Sequence, residues 1–131
     1  MALVDMNTLV GIAKKDGVML PAYNTTNLET TLGIMDGLEK AKLPGIVQIA
    51  PTNVKLSGYD YMATITMMAE KPYTVPMALH RDHGKSLDAV REAVHAGFSS
   101  IMIDGAAVPF EENIRYSRQA GDFCHCYGIP V

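Results

Sequence analysis

The chain has 131 residues, of which 48% are hydrophobic and 19% charged, with a formal net charge of −3 and two cysteines. This length suits a single domain, residues 1–131, and the composition excludes a disordered chain and a disulfide scaffold. The chain has no basic stripe, no long uncharged apolar run and no cationic leader, which argues against a nucleic-acid partner, a membrane span and secretion. We therefore expect a cytoplasmic protein with reduced thiols.

The first predicted element is a helix. Asp5 can cap it, its apolar residues recur at i, i+3, i+4 and i+7, and Gly17 is placed to end it. Five short apolar runs follow, at 18–20, 45–49, 75–79, 100–103 and 129–131. Continuous apolarity of this kind is typical of parallel strands that are buried on both faces.

Four segments with helical spacing separate the five runs. The second of them has an apolar stripe of Tyr61, Ile65 and Met68, with Met62 and Met67 beside it. The third can be capped by Ser86, and the last has a face of small residues, Ile114, Ser117, Gly121 and Cys124. The order is one helix, four β-α repeats and the start of a fifth strand. Periodicity leaves two architectures open, a doubly wound open sheet and part of a closed barrel.

In either architecture, ligand-binding residues collect at the carboxyl ends of the strands. The densest ionisable cluster, His80-Arg81-Asp82-His83, follows the third apolar run. A histidine is a good zinc ligand, and an adjacent carboxylate can orient it or move a proton, although a solvated loop tip explains the same residue types equally well. Asp104 follows the fourth run, where a carboxylate is costly to shield from water without a partner.

The segment Cys124-His125-Cys126 has the residue types of a metal site but the wrong spacing. On a helix, residues i and i+2 point about 200° apart, so the two thiols cannot meet one ion. We expect Cys124 in the core and Cys126 at the surface, and we expect His95 and His125 to be structural residues on helices.

Three segments of the chain resemble the class II fructose/tagatose-bisphosphate aldolases. They are LPAYNTTNLET at 20–30, HRDHGKS at 80–86 and GFSSIMIDGAAVPFEENI at 97–114. The resemblance implies an α/β fold of the (β/α)₈ TIM-barrel family. A complete barrel needs about 250 residues, so the chain would cover the first four β/α units and the start of strand five.

The resemblance also implies an activity, the zinc-dependent and reversible cleavage of a ketose 1,6-bisphosphate to dihydroxyacetone phosphate and glyceraldehyde 3-phosphate. By position, Asp82 would be the catalytic acid/base and His83 a Zn²⁺ ligand. Asp104 would match a carboxylate at a second metal position, and Asn24 a residue that faces the phosphorylated ketose substrate. The implied partners include further copies of the chain, in a homo-oligomer (dimer or tetramer).

The sequence also departs from the family pattern. Arg81 replaces the usual leucine and puts a guanidinium where the third strand should meet its helix layer. Only one of three expected protein ligands for zinc is present, so we expect the chain to be inactive alone. The alternative is a non-catalytic half-barrel that self-associates or serves as a binding or structural unit, because its first and fourth strands would be open edges.

Overall fold

The computed structural model describes residues 2–131, apart from the side chain of Leu56, and helices alternate with strands throughout this range. In chain order the elements are α1 (Met6–Asp16), β1 (Ala22–Asn24), α2 (Leu28–Ala41), β2 (Gly45–Ile49), α3 (Pro51–Ala69), β3 (Met77–Gly84), α4 (Leu87–Ala96), β4 (Ser100–Ile103) and α5 (Phe110–His125). The predicted order of one helix and four β-α repeats is therefore confirmed. Within the described range, none of the helices has the length and apolar character needed to cross a bilayer.

The four strands form one sheet in the order β1-β2-β3-β4, and every neighbouring pair is parallel. Successive side chains of a strand point to opposite faces of the sheet. On the face covered by α3, α4 and α5, Ile49, Leu79 and Ile101 are buried in the main apolar cluster. A smaller cluster, which contains Met35 and Met77, packs where α2 meets the start of β3. The site described below lies on the other face and at the carboxyl edge.

Two of the predicted helix starts are confirmed by their capping hydrogen bonds. The Asp5 side chain accepts a bond from the backbone N–H of Thr8 at 3.0 Å, and the Ser86 hydroxyl accepts one from Ala89 at 3.1 Å. Such bonds satisfy backbone donors that have no partner within the first turn. Gly17 ends α1 with φ 67°, in the left-handed region that favours glycine.

The first strand lies further along the chain than predicted. It spans Ala22–Asn24 and not residues 18–20, and Met19 is 90% exposed. Val18 is still tied to the last turn of α1, because its N–H donates to the Ala13 carbonyl at 3.0 Å. Pairing with β2 begins only where the Pro21 carbonyl accepts from the N–H of Ile46 at 2.9 Å.

Helix α3 buries a different stripe from the one predicted. Tyr61 is 71% exposed and Met68 62% exposed, whereas Met62 and Ala63 are buried. The buried residues Met62, Thr66 and Ala69 have the same i, i+4, i+7 spacing as the predicted stripe, shifted by one residue. Helical spacing alone therefore does not decide which of the two stripes faces the core. Before this stripe the helix is kinked at Gly58, whose φ of 80° and ψ of 166° are not helical.

The last part of the chain also differs from expectation. Cys124 is buried in α5 as predicted, but Ile114 is 44% exposed and Ser117 is exposed, so only part of the predicted face packs. Residues 129–131 do not form a strand. The Ile101 N–H of β4 donates a hydrogen bond to the Pro130 carbonyl at 3.2 Å. Pro130 cannot donate a bond in return, because proline has no amide hydrogen.

Candidate active site

The carboxyl end of β3 departs from regular strand geometry. Between β3 and β4, Arg81 pairs with Ile101 and Gly84 pairs with Ile103, so Asp82 and His83 together face the single residue Met102. This is a β-bulge, a device that redirects side chains at the end of a strand. His83 has φ 47°, a conformation that non-glycine residues rarely adopt and that is common at functional sites.

Glycine is required at the end of this bulge. A Cβ on Gly84 would lie 2.7 Å from the carbonyl oxygen of Met102, which is closer than real side chains approach. The close passage of the two backbones brings the ends of β3 and β4 together, and the N–H of Asp104 donates to the Gly84 carbonyl at 2.8 Å.

As a result, His83 and Asp104 form a pair. Nδ1 of His83 lies 2.9 Å from Oδ2 of Asp104, while the other carboxylate oxygen accepts from the backbone N–H of Ala106 at 3.1 Å. These bonds, that from His83 first, hold the pKa of Asp104 below its ordinary value. Since an ionised carboxylate can only accept, Nδ1 carries the hydrogen and the lone pair of Nε2 is left available.

Asp82 lies beside the free nitrogen of this histidine. Its Oδ1 is 3.7 Å from Nε2 of His83, and its Oδ2 accepts a hydrogen bond from the Gln48 amide at 2.9 Å. The Asp82 side chain is mostly buried, whereas that of His83 is 51% exposed. A carboxylate and an imidazole nitrogen that converge in this way can transfer protons or share a cation.

A row of polar residues crosses the sheet one step before these groups. The strand register pairs Asn24 with Gln48, Gln48 with His80 and His80 with Ser100. Nδ1 of His80 lies 2.8 Å from the Ser100 hydroxyl. Burial lowers the pKa of His80, so its ring is neutral at pH 7. The row therefore offers hydrogen-bonding groups without charge.

The turn after β1 is held by hydroxyl groups. Thr25 is fully buried, and its Oγ1 lies 2.9 Å from the hydroxyl of Thr30 and 2.7 Å from that of Thr31. Asn27 caps α2 and accepts from the N–H of Thr30 at 2.9 Å. These contacts fix the turn that follows Asn24 at the end of β1.

The donors in residues 2–131 do not form a complete metal site among themselves. No group of three histidine, cysteine or acidic side chains in that range is arranged to hold a metal ion. The His83 ring does fit one position of such a site, because a carboxylate orients it through Nδ1, the usual support of a zinc-bound histidine. Cys124 is buried and Cys126 exposed, as predicted from the sequence.

The structure brings three of the four predicted site residues together. Asp82, His83 and Asp104 form one cluster at the ends of β3 and β4, whereas Asn24 lies at the far end of the polar row. Sequence reasoning missed Gln48, which it treated as part of an apolar run. A single amide in the next-to-last position of a buried strand was the available signal, since neighbouring residues of a strand point to opposite faces and Gln48 therefore faces away from Val47 and Ile49.

Comparison with known proteins identifies the family of the chain. The family model of the class-II fructose-bisphosphate aldolases matches residues 4–131. The chain belongs to the class II fructose-bisphosphate aldolase family. The expected family is thus confirmed, and Asp82, His83 and Asp104 all lie within the part of the chain that matches.

Two relatives show how much of a family member the chain represents. It is 34% identical over 134 residues to a Bacillus subtilis (strain 168) protein described as a probable fructose-bisphosphate aldolase, of which it covers 47%. It is 34% identical over 132 residues to the fructose-bisphosphate aldolase of Giardia intestinalis, of which it covers 41%. Both matches include the whole of this chain.

The fold expectation is confirmed by a solved structure, the YdjI aldolase from Escherichia coli K12. The TM-score is 0.90 at 32% identity, over 98% of this chain and 50% of the aldolase. The four parallel β/α units are thus a partial TIM-barrel-type unit. The chain spans about half the length of the aldolases it matches.

Proposed function

We propose that this chain contributes the amino-terminal part of the catalytic site of a zinc-dependent ketose-1,6-bisphosphate aldolase. The observation that carries the proposal is the convergence of Asp82 on the free Nε2 of a histidine that Asp104 orients. The reaction would be the reversible cleavage of the sugar bisphosphate to dihydroxyacetone phosphate and glyceraldehyde 3-phosphate. We place this reaction in the cytoplasm, the location expected from the sequence.

Asp82 has the position and partners of a general acid/base. In cleavage it would take the proton from the hydroxyl on the aldehyde side, and the electron pair of the broken C–C bond would pass to the ketone half. In condensation Asp82 would return the proton. The hydrogen bond from Gln48 holds Oδ2, so Oδ1, on the His83 side, is the oxygen placed for transfer.

His83 would provide one ligand for Zn²⁺ through Nε2, and Asp104 would hold the ring in the tautomer that leaves this nitrogen free. When bound, zinc would polarise the ketone carbonyl of the substrate and so make a lysine Schiff base unnecessary. Asp104 is also the residue placed to contact a second metal position. The remaining ligands would come from a segment outside these 131 residues, and the isolated chain would be inactive for that reason.

Asn24 would face the substrate. It lies in the uncharged row with Gln48, where an amide can bond a hydroxyl or a phosphate oxygen without altering any protonation state.

A test joins this chain to the carboxyl-terminal half of the Bacillus subtilis relative. We expect zinc-dependent cleavage of fructose 1,6-bisphosphate by the fusion and none by the isolated chain. His83→Ala should abolish tight zinc binding, and Asp82→Asn should keep zinc but lower kcat by about 10²- to 10⁴-fold. The matched control is Asp88→Asn, on the exposed start of α4. The proposal fails if the Asp82→Asn fusion binds zinc and retains full kcat. Metal-stimulated turnover by the isolated 131-residue chain would contradict the expectation that this chain is inactive by itself.

A second candidate function, self-association of a non-catalytic half-barrel, is favoured by two apolar grooves. One of about 580 Å³ lies beside β4 and α5, and one of about 530 Å³ lies beside β1 and α2. The second is lined by Tyr23, Ile34 and Leu43 without a charged side chain. Two copies could cover both grooves by placing β4 of one next to β1 of the other. Sedimentation velocity tests this, and a monomer at every concentration would contradict it.

A further inference from the structure

Arg81 is the most deeply buried charged residue that the proposed chemistry does not use. It is 1% exposed, and its side chain lies on the helix-facing side of β3, between Ile49 and Ile101 in the strand register. The guanidinium carbon lies 4.7 Å from the centre of the Tyr59 ring. Among residues 2–131 no carboxylate pairs with it, and its Nε has no hydrogen-bond partner.

A buried guanidinium without a carboxylate is a cost to stability, so its contacts with the backbone need an explanation. Nη1 donates to the carbonyl of Asp82 and, at 3.5 Å, to that of Ile49. Both carbonyls lie at the carboxyl ends of their strands. The guanidinium therefore ties the end of β2 to the end of β3, directly behind the candidate site.

The bulge explains why the Asp82 carbonyl benefits from a dedicated donor. With Asp82 and His83 facing the single residue Met102, one residue of β3 is left without a regular ladder partner. The positive φ of His83 turns the peptide that joins it to Asp82 out of the usual strand plane. A hydrogen bond from Arg81 to that carbonyl fixes the orientation of this one peptide.

We propose that Arg81 is a positioning residue, which holds the Asp82–His83 peptide so that the two side chains converge on the other face of the sheet. The inference deepens the proposed function, because it concerns the same site. Arg81 touches neither the substrate nor a metal, and it acts through the backbone.

The test compares Arg81→Leu and Arg81→Lys with the unaltered chain. Backbone amide exchange is measured residue by residue without metal, and urea unfolding is measured alongside it. Arg91→Leu is the matched control, because Arg91 also lies against an aromatic ring, that of Phe123, but on the outside of the molecule and far from the bulge.

In Arg81→Leu we expect faster exchange at His83 and Gly84, unchanged exchange at Leu79, and a urea midpoint that is equal or higher because a buried charge has been removed. Arg81→Lys should restore part of the protection, since an ammonium can still donate to a carbonyl. Uniformly faster exchange along β3 with a lower midpoint would show a merely structural role. Unchanged exchange at His83 and Gly84 would also overturn the proposal.

The zinc affinity of the fusion described above is a second readout. Arg81→Leu should weaken it by about 10- to 100-fold, as loss of a supporting contact around a metal ligand does, and Arg91→Leu should leave it unchanged. If the unaltered fusion binds no zinc, the proposed function fails, whereas the exchange experiment still decides the role of Arg81.

Discussion

The two halves of the carboxyl edge of the sheet are held by different forces. After β1, hydroxyl groups of Thr25, Thr30 and Thr31 fix the turn, and no ionisable group takes part. After β3 and β4, the contact of His83 with an ionised Asp104 fixes the backbone ends. The neutral half can orient a ligand at any pH, whereas the ionisable half can move protons and depends on its own charge state. The ionisable groups that the proposed acid/base chemistry needs thus lie on one side of the candidate site.

The largest effect is expected from breaking the ionisable half at Gly84. In Gly84→Ala the new methyl group would meet the Met102 carbonyl at 2.7 Å, so β3 and β4 would have to separate. We expect a loss of about 1–3 kcal/mol in the free energy of unfolding, measured in urea. The control is Gly37→Ala in α2, where a new Cβ would have no atom within 4 Å. This substitution should raise the free energy of unfolding by as much as about 1 kcal/mol, because alanine favours a helix more than glycine does. Equal effects of the two substitutions would contradict the argument.

A smaller effect is expected from breaking the neutral half at Thr25. Thr25→Val keeps the shape of the side chain but removes the hydroxyl that binds Thr30 and Thr31. The free energy of unfolding should fall by about 1–2 kcal/mol. Amide exchange should become faster at the start of α2 and stay unchanged at His83. Thr64→Val, at an exposed position of α3, is the control. Faster exchange at His83 would show that the two halves are coupled.

The smallest effect is expected from Glu39, a carboxylate outside the candidate site. Removing it separates the acid sensitivity of the site from that of the rest of the molecule. Glu39, on α2, accepts hydrogen bonds from Lys42, Thr74 and Val75. These bonds, that from Lys42 first, lower the pKa of Glu39 from 4.5 to about 2. Its contribution is therefore complete above pH 4.5 and is lost as the pH falls towards 2.

The variant Glu39→Gln tests this window directly. Urea unfolding at a series of pH values should show the variant to be less stable than the parent at pH 7, with the difference shrinking between pH 4.5 and 2. A constant difference across that window would mean that Glu39 does not titrate as described. Whatever acid dependence remains in the variant can then be assigned to other carboxylates, including Asp104.

Local signals predicted most of the fold. The strands at 45–49 and 100–103 and the caps at Asp5 and Ser86 depend on short-range apolar runs and hydrogen bonds, and each was confirmed. The position of β1 could not be predicted, because the register with β2 and not local apolarity decides where an edge strand begins. The kink at Gly58 was missed for a related reason, since a lone glycine within a helical pattern does not reveal its φ.

The site was predictable as a set of residues but not as a geometry. Placing Asp82, His83 and Asp104 at the ends of adjacent strands required only the strand boundaries. The positive φ of His83 and the bulge arise from the pairing of two strands, and no pattern in the sequence predicts them. The burial of Arg81 between β3 and its helices agrees with the expectation from its strand position, but its bond to the Asp82 carbonyl depends on the bulge.

The cysteine near the end of α5 and the one just after the helix offer a way to measure motion of the last helix. Burial raises the pKa of the Cys124 thiol, while Cys126, two residues away, is exposed. A thiol reagent will therefore modify Cys126 at once and Cys124 only during moments when α5 lifts from the sheet. In the variant Cys126→Ser, the rate of labelling at Cys124 measures how often the last helix opens, and no new cysteine has to be introduced.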